Sequence, residues 1–151
     1  MMTSNTSSAS SLQQKIRSSI PLSEMMQFNI EQLSNTSIKV TAPLEPNVNI
    51  HGTGFAGSIY SLAVLTGWAF CENLMQLFGM KGVLVVARAE IKYRSPITED
   101  LQCATSATED AAQAFYEAFK QRGTGRLELN IAIGSSENAR LQATYVAKAK
   151  S

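Results

Sequence analysis

Between Pro46 and Cys71 the chain carries no Asp, Glu, Lys or Arg, and the second half of that run is apolar on every side. Helical spacing from about residue 53 to 78 places Phe55, Ile59, Leu62, Ala63, Leu65, Trp68, Ala69, Leu74 and Leu77 around nearly the whole circumference. A helix of that kind is stable in water only when other elements cover it on most sides. The run is not a membrane span: Gly52, Gly54, Gly57, Gly67, Asn47 and Asn49 interrupt it, and its continuous apolar part is shorter than the ~20 residues a bilayer requires.

The remaining sequence supplies the cover. Residues 26–31 and 38–42 alternate as strands, with Ser34, Asn35 and Thr36 as a hairpin turn. After a break at residues 79–82, Val83, Val85, Ala87, Ala89, Ile91 and Tyr93 fall on one face of a strand, and Arg88, Glu90, Lys92 and Arg94 on the other. A turn at 95–100 leads to Leu101, Cys103, Thr105 and Ala107, and so short a connection predicts that these two strands pair antiparallel. An amphipathic helix at 108–122, acidic at its start and ended by Gly123, precedes two more alternating strands at 127–133 and 141–149. A short helix at 12–20 stops before Pro21, and the Ser/Thr/Asn-rich residues 1–11 read as a flexible tail with no signal-peptide pattern. The expectation is one domain over 12–151, of the α+β class, in which an antiparallel sheet wraps one long central helix.

Residues 51–58, HGTGFAGS, contain a literal G-x-G-x-x-G. A dinucleotide fold would require alternating strands and helices, with an acid closing the next strand about 20 residues on. Neither is present, so the glycines serve another ligand. A net charge of +1 gives no field for nucleic acid or an anionic membrane, and two cysteines with one histidine argue against a disulfide framework or a structural zinc site. A reducing, cytoplasmic setting is expected.

PLEPNVNIHGTGFAGSIYSLAVLTGWAF resembles the entry to the central helix of hotdog-fold thioesterases, and EIKYRSPITEDLQCATSAT resembles the strand, turn and strand that follow it. More narrowly, GTGFAGSIYSLAVLTGW is similar to a thioesterase-like family found alone or fused to an acetyltransferase domain, some members of which decarboxylate malonyl-ACP. The resemblance implies a hotdog domain acting on thioesters of acyl-carrier protein or coenzyme A, with no cofactor beyond the substrate's own phosphopantetheine and no metal. It also implies a homodimer or larger assembly.

Aligned on that pattern, Phe55 stands where many of the hydrolases have histidine, and their helix carboxylate falls near Ala63 or Val64. Without either group, water activation and carboxylate attack both lack an actor. The remaining feature is electrophilic: backbone N–H groups of Ala56, Gly57 and Ser58 at a helix start, suited to a thioester oxygen. Decarboxylation of a malonyl thioester is therefore the favoured reaction, with hydrolysis and non-catalytic thioester binding as alternatives. Catalytic candidates are Asn49, His51, Gly57 and Ser58; substrate-binding candidates are Thr53, Phe55, Ala56, Tyr60 and the basic set Arg88, Lys92 and Arg94. Each has a plainer role open to it, such as a loop hydrogen bond for Asn49 and His51, or a solvated strand face for the basic set. Cys71 and Trp68 are read as core.

Overall fold

The structure is a computed structural model that describes residues 6–150. In chain order the elements are α1 (Thr6–Ser19), α2 (Pro21–Met26), β1 (Asn29–Leu33), β2 (Ser37–Ala42), a 3-10 turn (Glu45–Asn47), α3 (Ala56–Phe78), β3 (Gly82–Tyr93), β4 (Leu101–Ser106), α4 (Glu109–Arg122), β5 (Thr124–Ile133) and β6 (Ala139–Ala149). The strands form one antiparallel sheet in the order β1-β2-β4-β5-β6-β3. α3 packs across its inner face, touching every strand from β2 to β6. This is the α+β hotdog arrangement.

Burial follows from the sequence pattern. Leu62, Ala63, Ala69, Phe70 and Cys71 on α3 are sealed against Val40, Ile131, Ile133, Leu141 and Tyr145 of the sheet. Each large side chain so removed from water contributes about 2 kcal/mol, which is what holds a helix of this composition against the sheet. α4 closes the end of the barrel beside the C-terminus of α3, where the rings of Phe78 and Tyr116 stack at 4.7 Å. Its Thr108 hydroxyl caps the helix by accepting from Ala111 N.

Four expectations change. Of the expected tail, residues 1–5 lie outside the described residues, while α1 begins at Thr6, because Ala9, Leu12 and Ile16 make a buried stripe at i, i+3 and i+7. The first strand begins at Asn29 and not at residue 26: Pro21 opens a one-turn helix that Gln27 ends in the left-handed region (φ 61°).

The third change concerns pairing. β3 and β4 are not neighbours; β3 is an edge strand beside β6, and β4 lies between β2 and β5. The linking segment crosses the end of the sheet, held by Arg94 N and Ser95 N donating to Asn138 O. A short connection implies pairing only in a flat sheet, and here the sheet curls around α3.

The fourth is the facing of β3. A bulge lies between Val86 and Arg88, so Leu84 is the buried residue before it, and Ala89 and Ile91 are the half-buried ones after it. A one-residue slip exchanges the faces of a strand. Val83 and Val85, expected inside with Ala89, are 52% and 43% exposed.

Candidate active site

Residues 43–55 feed the chain into α3, and two asparagines brace this passage. Asn47 is buried; its Nδ2 donates to Met26 O (3.0 Å) and Pro43 O (2.8 Å), and its own carbonyl accepts from Phe55 N (2.8 Å). Asn49 uses its whole side chain inside the loop. Its Oδ1 accepts from His51 N (2.8 Å) and Thr53 N (3.1 Å), and its Nδ2 donates to Thr53 Oγ1 (2.8 Å) and Gly54 O (3.3 Å). The turn between them needs a left-handed residue, supplied by Gly52 at φ 80°. A bridge between Val48 and Gly54 closes the loop, and Gly54 N donates to Ile97 O (2.8 Å) on the crossing segment.

The loop delivers Phe55, in extended conformation, as the N-cap of α3. No side chain caps this helix, and the first intrahelical bond runs from Ile59 N to Phe55 O (2.9 Å). The amides of Ala56, Gly57 and Ser58 therefore precede the helical ladder and point out of its positive end. The Phe55 ring lies against Gly57: a β-carbon there would be 2.5 Å from Phe55 Cε2. Tyr93, the last residue of β3, donates its hydroxyl to Ala56 O (2.8 Å). Burial, and secondarily the nearby Tyr60, raise the Tyr93 phenol above its usual range, so it stays a neutral donor.

One turn further along α3 an apolar groove of about 500 Å³ opens. Ile20, Met26, Tyr60, Val64, Trp68 and Val86 line it, from α1–α2, α3 and β3. Trp68 is anchored there by Nε1 donating to Leu84 O (3.1 Å). The same end of the molecule exposes Ile50 (95%) and Phe55 (51%).

The expected site residues divide accordingly. Asn49, His51, Thr53, Phe55, Ala56, Gly57, Ser58 and Tyr60 all lie along one loop and the first turns of one helix. Arg88 and Lys92 do not join them: they stand on the outer face of the sheet, in register with Thr144 and Arg140. Arg94 sits past the end of β3, 3.7 Å from the Glu137 carboxylate. That carboxyl is held below its ordinary pKa, chiefly by the hydrogen bond from Arg140 (2.6 Å).

Ala63 is fully buried, and the first acid of α3, Glu72, is paired with Lys15 at 3.0 Å. Both thiols are buried, Cys103 pushed up to about 12 and Cys71 higher still by desolvation, so neither is a nucleophile. Among the described residues no group of three His, Cys, Asp or Glu is placed to hold a metal ion, and no helix is long and apolar enough to cross a membrane.

Sequence reasoning missed three contributors. Tyr93 alternates like any strand residue, Asn47 follows a proline and reads as a loop breaker, and Ile97 contributes a carbonyl. Only the crossing of the 94–100 segment brings Tyr93 and Ile97 to the helix start, and no local pattern encodes that.

A family model described as "Putative thioesterase (yiiD_Cterm)" matches residues 9–149. Among solved structures, a thioesterase-described protein from Shewanella oneidensis is 31% identical, with 94% of this chain and 98% of that one covered and a TM-score of 0.84. A protein of unknown function from Chlorobaculum tepidum TLS is 25% identical, with 94% of each chain covered and a TM-score of 0.90. The E. coli PaaI protein of the phenylacetic acid degradation operon, 13% identical over 95% of this chain and 94% of that one at a TM-score of 0.63, shares the fold. With the model spanning almost the whole sequence and a relative above 30% identity, this chain belongs to the yiiD C-terminal thioesterase family of the hotdog superfamily.

Proposed function

We propose that the protein decarboxylates malonyl-ACP to acetyl-ACP, holding the thioester oxygen at the start of α3. One observation carries this reading: the amides of Ala56, Gly57 and Ser58 stand free of the helical ladder and of any side-chain cap, while the acid positions of a hydrolase are occupied by the apolar Ala63 and Val64. In the reaction the Cα–carboxylate bond breaks, CO2 leaves, and the electron pair passes into the thioester as an enolate. A proton from solvent at Cα then completes the acetyl group. Charge thus builds on the oxygen and on no protein base. Each well-aimed amide donor contributes about 3 kcal/mol to such a transition state. The Phe55 ring and the apolar groove disfavour the departing carboxylate relative to water.

Hydrolysis is the second reading. The family name favours it, and so does His51, whose backbone is fixed by Asn49 while its side chain is exposed. Mass spectrometry of products from malonyl-ACP and a panel of saturated acyl-ACP and acyl-CoA thioesters separates the readings. Acetyl-ACP and CO2 without free carrier thiol is the expected result. Free acid and free thiol would replace decarboxylation by hydrolysis, and no product from any thioester would leave a binding module.

The assembly we propose is a homodimer or larger, paired through the sheet. Its support is β3: twelve residues long, at the sheet edge, with Val83, Val85 and Val86 exposed. Such an edge invites another strand. Arg88, Lys92 and Arg94 are the proposed meeting point for an acidic carrier protein or the phosphate of its pantetheine arm. Reversing Arg88 and Lys92 to Glu is expected to raise KM for ACP substrates about tenfold and for CoA substrates about twofold, since exposed charges act mainly on encounter. Equal effects on both substrate classes, read from steady-state kinetics, would return these residues to being a solvated face.

A further inference from the structure

Tyr93 does more than close the end of β3. Its hydroxyl donates to the carbonyl of Ala56, and that carbonyl belongs to the same planar peptide unit as the N–H of Gly57. A hydrogen bond accepted by a peptide carbonyl does two things to the amide on the other side of the C–N bond. It fixes the plane, and hence the direction in which the N–H points. It also polarises the unit, making the N–H a stronger donor. Of the three unpaired amides at the start of α3, only Gly57's shares a peptide unit with the carbonyl that Tyr93 contacts.

The surroundings support this role. The Phe55 ring packs against Gly57, where a β-carbon would collide with it, so the residue whose amide shares the Tyr93-braced peptide unit is also hemmed in by an aromatic ring. Tyr93 reaches this point from the far side of the α3–β3 connection, which makes the contact tertiary and not part of the helix's own capping. The apolar groove that opens one turn later, beginning at Tyr60, marks this end of α3 as the end that faces a ligand.

We propose that Tyr93 is a positioning residue that sets the aim and donor strength of the Gly57 amide toward the substrate's thioester oxygen; this rests on the reading that the thioester is held at the start of α3. Tyr93 itself touches no substrate. The role predicts a loss in the chemical step with binding preserved.

The test compares the full-length protein with its Tyr93→Phe variant, by steady-state kinetics on malonyl-ACP and by the amide 15N–1H spectrum with and without acetyl-CoA. In Tyr93→Phe, kcat is expected to fall about tenfold while KM stays within about twofold, the pattern of an interaction made in the transition state. The Gly57 amide proton is expected to move upfield by more than that of Ser58, and to respond less to acetyl-CoA. Replacing Tyr93 by 3-fluorotyrosine, a stronger donor of nearly the same shape, is expected to move the Gly57 proton downfield and to retain full turnover. A Tyr93→Phe kcat within twofold of wild type, or a Gly57 amide unmoved by either change, would overturn the inference. If Tyr93→Phe fails to fold, the fluorotyrosine shift decides it. If the wild-type protein turns over no thioester, the proposed reaction fails by itself, and the Gly57 shift still decides whether Tyr93 governs that amide.

Discussion

Replacing Gly67 by alanine is expected to destabilise the fold by about 3 kcal/mol, lowering the melting temperature by roughly 6–12 °C for a domain of this size. Gly67 sits at the crossing of α3 over β6. The Tyr145 ring, wholly buried, fills the space a side chain would take, and a β-carbon would lie 2.6 Å from Tyr145 Cζ. The ring cannot retreat easily, because its hydroxyl donates to Val64 O at 2.7 Å on the same helix. Alanine's better helix propensity returns about 1 kcal/mol, which the overlap exceeds. Combining Gly67→Ala with Tyr145→Phe removes the hydroxyl but leaves the ring, so the double variant is expected to recover only part of the loss. Circular dichroism melts of the two singles and the double check this. A Gly67→Ala protein that melts with wild type would mean that helix and sheet are further apart in solution than this crossing requires.

Asn49→Ala is expected to remove most turnover, about 100-fold in kcat, from a protein that still folds. The four bonds of the Asn49 amide tie residue 49 to the backbone of 51, 53 and 54 and to the Thr53 hydroxyl. These are the residues that hand the chain to Phe55 and the amides behind it. Displacement of donors by about 1 Å is enough for a loss of that order. Because every polar atom of the side chain is engaged in the loop, Asn49 is assigned to bracing the site; contact with substrate would require it to give up one of these bonds. Asn49→Asp separates the two halves of the amide: it keeps the acceptor for His51 N and Thr53 N and loses the donor. Retention of most activity in Asp but not in Ala would place the weight on the acceptor side. Full activity in a folded Asn49→Ala protein, measured by product formation, would remove this residue from both bracing and chemistry.

How much of this was legible beforehand depends on the range of the physics involved. The hairpin of β1 and β2, the acidic start and Gly123 stop of α4, and the alternation of β5 and β6 are encoded within a few residues, and the sequence reading placed them correctly apart from shifts at the ends. The candidate site was legible for a related reason. Asn49, Thr53, Phe55 and Gly57 are close in the chain, so a loop entering a helix brings them together in almost any fold.

The polar face of Arg88 and Lys92 was legible from the alternation, but the inward turn of Leu84 in place of Val83 was not. A bulge inserts a single residue and inverts the face, and no residue type in VLVVARA marks where it falls. The position of β3 at the opposite side of the sheet from β4 escaped the same reasoning, since chain length between two strands limits how far apart they are without specifying which neighbour each one takes.

The sequence by itself determined that an almost uncharged helix must be wrapped by an amphipathic sheet, because nothing else removes so much apolar surface from water. It also determined that this helix starts in a glycine-rich loop with free amides and no acid nearby in the chain. Only the tertiary structure decided that Tyr93 meets the Ala56 carbonyl, that Ile97 pins Gly54, and that Tyr145 occupies the space above Gly67. Those contacts join residues tens of positions apart through the curl of the sheet, and the packing of a curled sheet on a helix is a property of the whole chain, which no local pattern contains.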